Sequence, residues 1–183
     1  MYDNDVMCGG ALVLKGTVVT AASCLEPKER EYHVLLLCEN GIHMSAIRQI
    51  IKHPFYFGTM LYDVAIIKLD SLAFGSSGLE LDQPISLNNP SLLVGWGQPN
   101  AIDMFSQPLD YPCSVPNLQK VYPYIAFCAT NLSANITTLK GSPLIRVHKH
   151  SYFLQGIQLT NVTQAITPFA LISLYIDWIH SYF

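Results

Sequence analysis

The stretch that decides the fold is Cys8–Glu26, CGGALVLKGTVVTAASCLE, and within it Thr20-Ala21-Ala22-Ser23-Cys24. Two short β-rich runs, GGALVL and GTVVTAA, meet at Lys15-Gly16. That is the pattern of two antiparallel strands joined by a tight turn. Cys8 and Cys24 stand at its two ends. Ser23, fourth in TAASC, is the residue whose chemistry the remaining chain has to explain.

The same punctuation continues along the sequence. EYHVLLLC runs into Glu39-Asn40-Gly41, and Asn-Gly is a strong two-residue turn signal. In IHMSAIRQI, Ile42, Met44 and Ala46 alternate with polar neighbours, which predicts a half-buried strand. DVAIIKLD and SLLVGWG read as buried strands. Near the C-terminus the period changes. Leu171, Leu174, Tyr175, Trp178, Ile179 and Tyr182 fall on one helical face and predict an amphipathic helix. The coarse expectation is an all-β body closed by a helix, without repeats or low-complexity tracts.

Composition narrows the function classes. A chain of 183 residues suits one domain with a real core. Half the residues are hydrophobic and 13% are charged, which argues against disorder. The net charge of −3 and the absence of a Lys/Arg cluster give no reason to expect nucleic acid. No apolar run approaches the ~20 residues of a membrane span. The initial MYDND lacks the form of a secretory signal. Three glycosylation triplets begin at Asn131, Asn135 and Asn161 and, beside several cysteines, point to a secreted, extracellular protein. With five cysteines, an all-disulfide scheme leaves at least one unpaired.

In the order of its landmarks the chain resembles the trypsin/chymotrypsin family of serine proteases. CGGALVL with VVTAASC resembles the strand pair around the family's catalytic histidine. HPFY from His53 resembles the segment before the catalytic acid, and YDVAIIKL the strand that carries it, here at Asp63. VGWG from Val94 resembles the opening of the second barrel. FCAT around Cys128 resembles the segment after a second disulfide, LKGSPLI from Leu139 a degraded nucleophile loop, and YFLQGI with YIDWI the closing strand and helix. The resemblance implies two antiparallel β-barrels, shortened here, with a cleft between them and a C-terminal α-helix outside. The first barrel would span about 1–93, the second about 94–169 and the helix about 170–182. The family's first strand before Cys8 and about half of the stretch between Gly97 and Cys113 are missing by this reading. Disulfides Cys8–Cys24 and Cys113–Cys128 are implied. Each closes a loop of about fifteen residues, worth roughly 3 kcal/mol in the chain-entropy model. Cys38 is then a buried free thiol, with an intermolecular disulfide as the alternative.

The resemblance also locates the site. Family catalysis needs a serine oxygen to attack, an imidazole to take its proton and a carboxylate to orient the imidazole. Here Ser23 stands at the base, Lys140 at the nucleophile, and Asp63 alone is retained. Thr138 replaces the glycine of the oxyanion loop. Leu139 replaces the aspartate that pairs with a new N-terminus on activation. Ala134, Asn135 and Leu159 fall at the specificity pocket, and Thr160 and Asn161 follow Leu159 along the substrate-pairing strand. Removing either nucleophile or base costs about 10⁶-fold in a related hydrolase. The expectation is therefore a non-catalytic homologue that acts by protein binding, as a cofactor, decoy or regulator of proteolysis, without cofactor or metal.

Two further readings remain open. Ser23 and Lys140 could form a rewired serine–lysine hydrolase, which requires a neutral lysine. Against it, Asp63 would hold Lys140 protonated as an ion pair. Ser142 is a second candidate nucleophile, but no base accompanies it. The other reading is a truncated gene product without activity. Among the histidines, His53 reads as a turn element and not a displaced base. His148 and His150 share a strand face but lack the neighbours to complete a metal site, so a surface pair is expected.

Overall fold

The computed structural model describes residues 7–26, 32–38, 41–70, 78–81, 91–97, 101–107, 109–110, 126–130, 138–160 and 166–183; for positions 15, 37–38, 96–97, 101–107, 109–110, 126–130 and 166 it describes the backbone only. Strand β1 (Ala11–Val13) turns through a 3-10 turn at Leu14–Gly16 into β2 (Thr17–Thr20), with Ala11 opposite Val19. Gly16 sits at φ +65°, where a side chain is disfavoured, so Lys15-Gly16 is the turn the sequence announced. Strand β2 then pairs with β6 (Ala65–Leu69), and β6 pairs with β5 (Ile47–Lys52). The first sheet therefore runs β1-β2-β6-β5. Its strand β6 is the apolar run Ala65-Ile66-Ile67, buried throughout.

Strands β3 (Val34–Cys38) and β4 (Gly41–Ser45) form a separate hairpin that joins β5 through Ala46, whose carbonyl accepts from Asp70 N at 3.0 Å. Gly41, at φ +115°, opens β4 opposite Cys38. The alternation of Ile42, Met44 and Ala46 is real, but it faces the wrong way for the expectation. Ile42 is 52% and Met44 69% exposed, Ala46 is exposed too, and Leu36 and Ser45 point inward. A period of two identifies two faces without saying which one has a layer over it. The outer face of this hairpin has none.

The second sheet follows after the short β7 (Glu80–Leu81). Its strands are β8 (Ser91–Gly97), β9 (Ala101–Gln107), β10 (Leu109–Asp110), β11 (Ala126–Thr130), β12 (Pro143–His148), β13 (Ser151–Gln158) and β14 (Ile166–Leu171). They lie in the order β10-β11-β14-β13-β12-β8-β9, with β7 parallel to β13. Neither sheet closes on itself, so the two barrels expected from the resemblance are open. The outer edge of β1 is covered at one point, where Leu79 N donates to Leu12 O at 2.9 Å.

The C-terminal helix is shorter than its apolar face suggested. Leu171 ends β14, Ile172–Leu174 is a 3-10 turn, and only α1 (Ile176–His180) is α-helical. The buried residues are Ile172, Tyr175, Ile176 and Ile179, while Leu174 and Tyr182 are exposed. The expected stripe assumed one helical period across a strand end and a tighter turn, and those elements rotate side chains differently. A single apolar cluster runs from Val13, Val19 and Ile66 through Leu154 and Ile157 to Ile172 and Ile179, so both sheets and α1 share one core.

The inverted register of β4 is testable. Leu36→Ala should cost about 2–5 kcal/mol, as buried leucines do. Met44→Thr should stay within about 0.5 kcal/mol, as exposed positions do. Urea denaturation of the two variants separates them, and a large loss for Met44→Thr would restore the original face assignment.

Candidate functional site

Strand β2 leads directly into the 3-10 turn Ala22–Leu25, which carries Ser23 and Cys24. Cys24 is disulfide-bonded to Cys8, which pins the turn to the start of β1. Asp63 precedes β6, and the backbone around it is fixed locally. Tyr62 takes φ +55°, Val64 N donates to Tyr62 O at 2.7 Å, and His53 N donates to Val64 O at 3.0 Å. The Asp63 side chain is thereby directed under the Ser23 turn, where it is 2% exposed. Ser23 N donates to Oδ1 and Ser23 Oγ donates to Oδ2, each at 2.7 Å. The Ala22 N–H adds a third donor. Burial raises the Asp63 pKa above its ordinary 3.8, opposed by the Ser23 hydrogen bonds, the positive charge of Lys140 and the Ala22 N–H.

The loop Thr138–Ser142 approaches this turn from the other sheet. Gly9 N donates to Lys140 O at 2.8 Å, and Thr20 Oγ1 donates to Gly9 O at 2.7 Å. Gly141, at φ +83°, presses on Gly9 so closely that a Cβ there would overlap the Gly9 carbonyl. Lys140 is half-buried and near enough to Asp63 for its charge to be felt there. Ser142 is fully buried beneath Gly9, and its Oγ has no hydrogen-bond partner. A hydroxyl in that position has no path to an external acyl group.

Thr138 is also turned inward. Its hydroxyl donates to Gln158 Oε1 at 2.8 Å, and Gln158 Nε2 donates to Thr138 O at 3.3 Å and to Thr160 O at 2.5 Å. The Gln158 backbone adds Gly141 N→Gln158 O at 2.8 Å and Gln158 N→Ser142 O at 3.0 Å. Leu159 is buried beside it, and Leu139 is half-buried. Gln158 was not singled out in the sequence. The available signal was a glutamine inside the apolar run LQGIQL, where a buried amide must find partners.

Tyr56 is the second residue that sequence reasoning missed: it lies near enough to Ser23 and Asp63 to feel both. Burial, with the negative charges of Asp63 and Glu26, pushes Tyr56 up to about 12, so it stays neutral at physiological pH. Lys52 lies 5.6 Å from the Tyr56 ring centroid and 3.4 Å from Glu26 Oε1.

His53 is held elsewhere. Its ring stacks on Tyr62 at 4.9 Å and meets Trp178 at 4.8 Å, Tyr175 at 5.5 Å and Phe55 at 5.7 Å. Its Nδ1 accepts from Phe55 N at 3.3 Å. His148 ends β12 and His150 lies in the β12–β13 turn, both exposed, so they flank a turn and do not share a strand face. Lys149 between them has φ +55°, which breaks the alternation. Among the described residues, no three His, Cys, Asp or Glu side chains gather as a metal site would require. Ala134, the glycosylation triplets at Asn131, Asn135 and Asn161, Cys113, and the side chains of Cys38 and Cys128 lie outside the described residues.

Ser23 is thus hydrogen-bonded to the buried Asp63, and the glycine-supported loop of the second sheet approaches the same turn. The profile of the Trypsin family matches residues 1–119. The chain belongs to the trypsin family. Among its relatives, chymotrypsin-like elastase family member 1 of Felis catus is 23% identical over 95% of this chain and 77% of its own length. Hypodermin-A of Hypoderma lineatum is 36% identical over 52% of this chain, and seminase of Drosophila melanogaster 30% over 65%. The chain spans 41% and 46% of those two proteins. The family profile covers Ser23 and Asp63, and Thr138, Leu139 and Lys140 lie beyond its matched residues.

His53 and Asp63, both buried, pull stability in opposite directions. Burial lowers the His53 pKa below 6.5, so the unfolded chain binds that proton more readily. Its contribution is complete above about 6.5 and is lost as pH falls. The raised Asp63 pKa acts inversely: its contribution is present below about 3.8 and is lost as pH rises through the folded value. Replacing His53 by Phe should therefore flatten the fall in Tm between pH 7 and pH 5. Calorimetry of both proteins measures it, and an unchanged slope would reject the assignment.

Proposed function

We propose that this trypsin-family chain is a non-catalytic homologue that works by binding protein, as a cofactor, decoy or regulator of proteolysis. The observation that carries the reading is the Ser23 hydroxyl donating to Asp63 at 2.7 Å from the position where the family keeps its general base. Serine cannot accept a proton near neutral pH, so Ser23 cannot stand in for the family's imidazole base. Lys140 at the nucleophile position supports the same conclusion. So does Thr138, whose inward hydrogen bonds oppose an outward oxyanion cradle. The buried Ser142 offers no substitute nucleophile.

The rewired serine–lysine reading finds less support. It needs Ser23 to give its proton to Lys140, and the proton points to Asp63 instead. The Cys8–Cys24 disulfide favours an oxidising compartment, which agrees with an extracellular glycoprotein bearing sugars at Asn131, Asn135 and Asn161. Among the described residues, no helix is long and apolar enough to cross a membrane.

The expected results are an absence of covalent labelling at Ser23 or Ser142 by a fluorophosphonate probe, and recovery of a specific secreted protein when the purified chain is used as bait. Labelling of either serine, with peptide hydrolysis that the Ser23→Ala or Ser142→Ala variant abolishes, would return the protein to the enzymes.

A further inference from the structure

The Gln158 carboxamide is fully buried and makes three side-chain hydrogen bonds, two of them with the single residue Thr138. An amide has one acceptor oxygen and two donor hydrogens. Here the oxygen takes the Thr138 hydroxyl, and the nitrogen serves the carbonyls of Thr138 and Thr160. Thr138 belongs to the loop that leads into β12, and Thr160 follows the end of β13. One side chain thus ties that loop to the end of β13. The exchange is reciprocal. Threonine at 138 supplies the hydroxyl that a glycine lacks, and glutamine at 158 supplies the matching amide. Alone, either would be a buried polar group in want of a partner.

We infer that Gln158 is a positioning residue whose side-chain amide fastens the Thr138–Ser142 loop to the end of β13, over and above the backbone bonds that the loop makes to Gln158 and Gly9. Replacing either member of the pair loosens the loop and leaves it those backbone bonds alone.

Site-resolved amide exchange on the full chain tests this without any partner, so failure to capture a binding protein leaves it untouched. In Gln158→Leu, which keeps the bulk and removes the hydrogen bonds, exchange at Gly141 and Ser142 should rise at least about tenfold, the equivalent of 1.4 kcal/mol, with β2 and β6 unchanged. Unchanged protection at Gly141 and Ser142 would overturn the inference. Should Gln158→Leu lose protection everywhere, Gln158→Glu decides. A carboxylate accepts only, whereas its protonated form regains one donor. Protection of the loop should then return as pH falls through the carboxyl range of about 4–5. A loop whose exchange, corrected for intrinsic pH dependence, ignores that protonation is not held by the amide.

Discussion

The buried carboxylate of Asp63 is the constraint around which this molecule is arranged. An ionised group so far from water is tolerated only when its oxygens are hydrogen-bonded. The Ala22–Ser23 turn supplies the donors from the backbone N–H groups and the Ser23 hydroxyl. Each bond to a charged group is worth about 1.5–3 kcal/mol, enough to fix where the turn sits. Because the turn ends at Cys24, and Cys24 is bonded to Cys8, the same requirement sets the start of β1. Two of the donors are main-chain groups and do not depend on which residue occupies position 23. Ser23 adds a third bond through its hydroxyl. The carboxylate thus has a structural role, set by the turn that bonds it.

The junction between the sheets shows the same separation of scaffold from chemistry. Gly9 and Gly141 meet backbone to backbone, with Thr20 and Lys140 completing the hydrogen bonds around them. That contact needs glycine at both positions for steric reasons, and both glycines are present. The side chains on the loop are an amine at 140, a hydroxyl turned inward at 138 and an alkyl group at 139. The loop's backbone bonds do not involve those side chains, and the Thr138–Gln158 pair adds to them.

The features that were legible in the sequence are those set by local rules. Gly16 announced its turn because a positive φ calls for glycine. The run Ala65-Ile66-Ile67 announced a buried strand because nothing in it can face water. Ser23 and Asp63 could be located by their neighbours along the chain. The misread features depend on what lies across space. Ile42 and Met44 alternate as they should, but only the sheet arrangement decides that their face is uncovered. Leu174 fits a helical stripe but belongs to a 3-10 turn. Gln158 and Tyr56 acquire meaning only through Thr138 and Ser23, which lie 20 and 33 residues away in sequence.

The second sheet carries a further consequence. Its interior holds Ser91, Thr138, Ser142, Gln155, Gln158 and Thr167, all buried. Gln158 satisfies both ends of its amide, and Ser91 Oγ donates to Gln155 Oε1 at 2.5 Å. Among the described residues, Gln155 Nε2, Thr167 Oγ1 and Ser142 Oγ find no hydrogen-bond partner. Each such atom costs about 1–3 kcal/mol. The first sheet, by contrast, buries Val18, Val19, Ile66 and Ile67 around a fully bonded Asp63. Stability is therefore distributed unevenly, and the second sheet should open first. That places the Thr138–Ser142 loop in the weaker half, held by its Gln158 bonds and by the Gly9 backbone of the stronger one. Such a loop stays ordered through its attachments to Gln158 and Gly9.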